Sequence, residues 1–208
     1  MKNLIRAASL LTALVLALTG CSGDSSGSPD VSGGSGHSEG AVAHDDADVV
    51  FAGEMVPHHE QALRMVAMTR GRHLSPSFEA LARHIKAAQT REVETMRGWL
   101  EDWGRDPDGI TGHMHGDDES MGGDGMMGGS NGLRGMMTGR DLRQLGAASG
   151  HAFEDMWLRM MIRHHQGAIA MADVEVAHGQ YPAAIDLAQH VESVQQGEID
   201  LMRKMLAH

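Results

Sequence analysis

From about residue 45 to the C-terminus, apolar positions recur every three or four residues, the spacing of one helix face. In MVPHHEQALRMV, residues 55–66, the side chains of Met55, His58, His59, Ala62, Met65 and Val66 fall within about 120° of a helical wheel. In MIRHHQGAIAMA, residues 161–172, Met161, His164, His165, Ala168, Met171 and Ala172 do the same. A second amphipathic stretch follows each of these. Its apolar side carries Leu81, His84, Ile85, Ala88, Glu92, Met96 and Trp99 in one case. In the other it carries Leu187, His190, Val191, Val194, Glu198, Met202 and Met205. Pro76 and Pro182 sit where a second helix would begin, at a position whose missing N–H costs little, and Ser75 is placed to cap the first of them. Pro57 lies inside a helical pattern, and its counterpart Arg163 breaks nothing, so a kink rather than a stop is expected there.

These elements are a duplication. Displaced by 106 residues, the chain overlays itself: 48–102 matches 154–208 without a gap, with 14 identities in 55 positions. Ordinary composition gives roughly three or four. Each half reads as a helical hairpin that cannot bury its apolar face alone, so two of them predict an all-α, four-helix bundle over residues 45–208. Between the repeats, residues 104–139 are rich in Gly and carry Met114, Met121, Met126, Met127, Met136 and Met137, with His113 and His115 beside the first of these. A segment this long without apolar periodicity is functional or a linker. Thr138 can cap a helical stretch leading into the third helix of the bundle.

The N-terminus reads differently. Lys2 and Arg6 precede a short apolar run, too short for a comfortable membrane span, which ends in LTGC at residues 18–21. This is the pattern of a lipoprotein signal peptide over 1–20, with Cys21, the single cysteine, as the lipidated residue. Residues 21–44 are Gly/Ser-rich and read as a tether. The expected location is outside a bacterial cytoplasmic membrane, attached by lipid on Cys21. The formal charge of −11 becomes −13 once Lys2 and Arg6 are removed, which argues against a nucleic-acid partner. One cysteine excludes an internal disulfide.

Imidazole with thioether is a selective ligand pairing. Thioether sulfur is soft and holds Cu(I); imidazole suits Cu(I), Cu(II) and Zn, while zinc sites recruit Cys, His and carboxylate rather than Met. The expected cargo is therefore copper, chiefly Cu(I) and also Cu(II). The candidate ligands are Met55, His58, His59, Met65, His84, Met161, His164, His165, Met171 and His190. A weaker set lies in the central segment: His113, Met114, His115, Met126 and Met127. Glu92 and Glu198 fall on the apolar arcs, where an unpaired carboxylate is costly. They should meet each other, Arg97 or Arg203, the histidine pairs, or a metal. A methionine stripe is also ordinary core filler, and a buried histidine is often structural. The chain lacks the second histidine of a zinc-protease H-E-x-x-H, a phosphate-binding Gly loop, and the paired Glu-x-x-His of a di-iron bundle, since only Glu175–His178 has that spacing.

The stretches MVPHHEQALRMV and GMMTGRDLRQLGAASGHAFEDMWLRMMIRHHQGAIAMADVE resemble the domain of unknown function 305 family. The resemblance covers about 47–207. It implies a ferritin-like helical bundle and extracytoplasmic copper binding of the CopM type. On the matching positions it gives the metal-binding role to His58, His59, Met65, His164, His165 and Met171. The family's Met-Ile-Pro-His-His keeps its proline at Pro57, and Arg163 replaces it in the second copy. The expected function is non-enzymatic: copper sequestration, buffering or transfer, with a copper-handling protein as partner. The alternatives are a ferritin-like di-metal oxidoreductase using Glu92 and Glu198, and a structural or interaction lipoprotein.

Overall fold

The computed structural model describes residues 43–108 and 134–207. The signal segment, Cys21 and most of the tether lie outside the described residues, as do His113, Met114, His115, Met126 and Met127. Five helices and no strand occur among the described residues: α1 (Asp46–Ala67), α2 (Pro76–Asp102), α3 (Gly139–Ala147), α4 (Gly150–His178) and α5 (Pro182–Leu206). None is long and apolar enough to cross a membrane.

Local chemistry fixes the helix ends. Asp45 and Asp48 form a reciprocal capping box at the start of α1, and Thr138 and Asp141 form another at the start of α3. Pro76 and Pro182 open α2 and α5. Helix α1 continues through Pro57 without ending. The stretch after Thr138 is not one helix with α4: Ala148 and Ser149 adopt extended backbone, and Gly150, at φ 55°, starts α4 afresh.

Helix α1 packs on α2, α4 on α5, and α1 on α4. The α1–α4 register is antiparallel. The Trp157 indole donates to the Met65 carbonyl (2.9 Å), the His58 and His164 rings meet at 3.7 Å between centroids, and Tyr181 beyond α4 reaches Asp48. Because His58 and His164 are each other's repeat partners, the pseudo-two-fold axis of the duplication passes between them.

Two apolar clusters flank this centre. One holds Met65, Phe78, Phe153, Trp157 and Met161; the other holds Phe51, Met55, Met96, Leu100 and Met171. Phe78 stands edge-on to Trp157 at 4.8 Å, and each fully buried side chain of this size contributes about 1.5–3 kcal/mol. Ser75 is the residue before α2, but its side chain does not cap the helix. Its N–H and Oγ instead donate to Glu154 of α4 (2.7 and 2.8 Å). Asp48, the repeat partner of Glu154, accepts from Tyr181 and Gln180 N–H at the start of α5 (2.9 and 3.2 Å). Each hairpin thus lends a carboxylate to the helix start of the other, where negative charge is favoured.

Candidate metal centre

The sequence doubles a histidine pair, and the fold brings both copies to the middle of the α1–α4 crossing. His58, His59, His164 and His165 are all fully buried. Ala62 and Ala168, one turn on, are also fully buried and let the helices approach. His59 and His165 turn toward the second helix of their own hairpin. His59 Nε2 lies 2.8 Å from Glu92 Oε2, and His165 Nε2 lies 2.7 Å from Glu198 Oε2. Of the partners open to the two glutamates, the histidines are therefore the ones they meet. Arg97 goes to Glu60 and Asp108, and Arg203 to Asp200.

These contacts choose a nitrogen. A carbonyl or carboxylate oxygen accepts, so the imidazole nitrogen facing it carries the proton. His58 Nε2–H donates to the Arg134 carbonyl (2.9 Å), and His59 and His165 donate to their glutamates. The Nδ1 atoms of His58, His59 and His165 are all buried without a partner. Neither ring nitrogen of His164 has a partner. A carboxylate holding one histidine nitrogen so that the other faces a metal is the usual outer support of a metal site. Burial, then the neighbouring His59, pushes His58 down to about 3, against the opposing pull of the Arg134 carbonyl. His164 is pushed down by burial and by His58 and His165. Burial alone would raise Glu92, but the hydrogen bond and charge of His59 carry it below the usual range. His58 and His164 are thus neutral at ordinary pH, the form that ligates.

The methionines divide differently. Met65 and Met161 lie in one apolar cluster, Met55 and Met171 in the other. Each motif therefore sends one thioether to either side of the histidines. Among the described residues, no three His, Cys, Asp or Glu side chains gather as a ready ligand set. The donor set that fits an ion at this crossing is imidazole plus thioether. Met55 and Met161, one turn before His58 and His164, are the nearest methionines along the helices.

His84 and His190 correct the sequence reading. Both were expected on apolar arcs, and both are exposed. Their positions sit at the edge of those arcs, where the bundle opens to solvent. His84 Nε2 is 3.6 Å from Glu198 Oε1, and His190 acts on Glu92 by its charge. They flank the buried dyads rather than join them.

Gln61, Arg163, Gly167 and Met137 also stand at the centre, outside the His and Met ligands expected from the sequence. Met137, beyond the undescribed segment, is buried, and Gln61 brackets its backbone: Gln61 Nε2 donates to the Met137 carbonyl (2.9 Å) and Met137 N–H donates to Gln61 Oε1 (2.6 Å). Arg163 Nη2 reaches Met137 Sδ (2.8 Å) and Asp141 (3.2 Å). A glycine inside a helix often marks a close backbone approach, and Gly167 was such a signal.

Solved structures share this architecture. A DUF305 protein from Streptomyces coelicolor is 29% identical, with a TM-score of 0.64 over 77% of this chain and 92% of its own. A DUF305 fragment from Deinococcus radiodurans is 27% identical, with a TM-score of 0.64 over 79% of this chain and 97% of its own. CopM in its Cu(II)-bound form is 28% identical, with a TM-score of 0.61 over 77% of this chain and 95% of its own. CopM is also known in Cu(I)-bound and Ag-bound forms. No curated protein matches the chain. The family model described as Domain of unknown function (DUF305) matches residues 48–206, and with its duplicated histidine pairs at the centre of a helical bundle the chain belongs to that family.

Proposed function

We propose that the protein is a non-catalytic copper-binding lipoprotein, held outside the cytoplasmic membrane by lipid on Cys21, that sequesters, buffers or hands on copper. The observation that carries the reading is the set of buried imidazole nitrogens without partners at the α1–α4 crossing. Burying polar atoms unsatisfied costs about 1–3 kcal/mol each, a cost that a bound metal removes. The supply of thioethers on both sides of the crossing favours Cu(I). The copper-bound forms of CopM support the choice of metal. Glu92 and Glu198 act here by orienting His59 and His165. His84 and His190, at the surface, serve as outer ligands during entry or release, and His113, Met114, His115, Met126 and Met127 as weaker sites.

The test is a Cu(I) titration of the full chain against a chromogenic competitor, beside a variant with alanine at His58, His59, His164 and His165. Tight binding is expected in the first and lost in the second. Equal binding in both would move the function to residues 104–139, and no binding in either would end the copper reading.

A further inference from the structure

Residues 134–137 cross the α1–α4 pair at the histidines. Arg134 is exposed, while its carbonyl accepts from His58 Nε2–H. Among the described residues, it is this backbone that meets His58 on that face of the buried pair. Three features hold it. Gln61 brackets the Met137 backbone from α1, and Arg163 reaches Met137 Sδ from α4. Gly135 and Gly167 lie so close that no side chain fits between them. A Cβ on Gly167 would collide with the Arg134 carbonyl, and one on Gly135 with the Arg163 carbonyl. Gly135 also sits at φ 77°, a conformation other residues resist.

The duplication makes this specific. Gln61 and Gly167 occupy the same repeat position, as do Pro57 and Arg163. Around two histidine pairs that repeat faithfully, these positions differ, and residues 134–137 bind Gln61, Arg163 and Gly167. The two-fold pair of helices is thus asymmetric where it meets the strap. The asymmetry extends to the ligands: the strap engages His58 and leaves both nitrogens of His164 unpartnered.

We propose that residues 134–137 are a gate over the His58–His164 pair, that a soft metal ion reaches the pair when this strap lifts, and that Gly167 is its latch. The proposal rests on the copper reading above and adds the route and its control. Lifting breaks the Arg134–His58 hydrogen bond and gives access to His164.

Gly167→Ala and Gln61→Ala separate the gate from the fold, because alanine favours a helix interior over either native residue. In the full chain, hydrogen exchange of the Met137 amide is expected to accelerate in Gly167→Ala, and helical circular dichroism to stay unchanged. Stopped-flow association of Ag(I), followed by tryptophan fluorescence, is expected to be roughly tenfold faster in both variants, as for a tenfold larger open population. Faster exchange with an unchanged Ag(I) rate would overturn the gate while leaving metal binding intact. Unchanged exchange in Gly167→Ala would overturn the latch. Absence of Ag(I) binding in all proteins would overturn the copper reading and the gate with it.

Discussion

Glu175→Gln probes a buried carboxyl pair at the far end of the bundle. Glu175 is 1% exposed and Asp48 fully buried. Asp48 already accepts backbone N–H groups from Asp45, Gln180 and Tyr181. Burial first, then the hydrogen bond and charge of Asp48, pushes Glu175 up to about 8 from an ordinary 4.5. It is thus protonated in the folded chain and donates to Asp48. Between those two values the folded chain keeps a proton that the unfolded chain has released. Stability therefore falls as pH rises, by up to about 1.4 kcal/mol per unit, and the loss is complete above about pH 8. His58 works in the opposite sense at lower pH. Held down to about 3, it makes stability rise with pH up to the ordinary histidine value. The window from pH 6.5 to 8.5 lies above the His58 effect, and the loss that Glu175 contributes across it comes to about 2 kcal/mol. For a domain of this size that is about 4–8 °C in Tm. Glutamine keeps a donor toward Asp48 and cannot ionise. Urea unfolding at the two pH values should show the loss in the wild type and a nearly flat response in Glu175→Gln. Parallel losses in both proteins would refute the assignment.

Two further outcomes follow from the core and the dyads. Trp157→Phe keeps the contact with Phe78 but removes the indole N–H from the Met65 carbonyl, and should cost about 1–3 kcal/mol in urea unfolding. A cost near zero would show that this hydrogen bond does not hold α4 against α1. Glu92→Gln with Glu198→Gln leaves the histidines in place but no longer fixes which nitrogen carries the proton. Cu(I) affinity, measured by competitor titration, should fall about 10–100-fold; an unchanged affinity would separate the dyads from the metal.

Helix positions were legible wherever the signal was local. Pro76 and Pro182 open the helices they were read to open, and the Thr138 cap acts where it was placed. Ser75 shows the limit. A serine before a proline-started helix reads as a side-chain cap, but Glu154, 79 residues away, takes its hydroxyl. His84 and His190 failed for a related reason. A helical wheel assigns a direction but not what stands there, and at the rim of the arc solvent stands where core was expected.

What the sequence determined by itself is the all-helical fold, the duplication and the residues that repeat within it. These depend on a 3.6-residue period and on comparison of the chain with itself, and both are contained in short windows. Tertiary structure alone decided that His58 meets His164, that the two glutamates meet His59 and His165, and that residues 134–137 close over one face. Those pairings depend on the register in which α1 crosses α4, which is set by contacts between residues about a hundred positions apart, such as Trp157 on Met65 and His58 on His164. Among the positions where the two repeats differ, Gln61/Gly167 and Pro57/Arg163 include the residues that meet the strap, because a symmetric pair of helices cannot bind a single strap symmetrically.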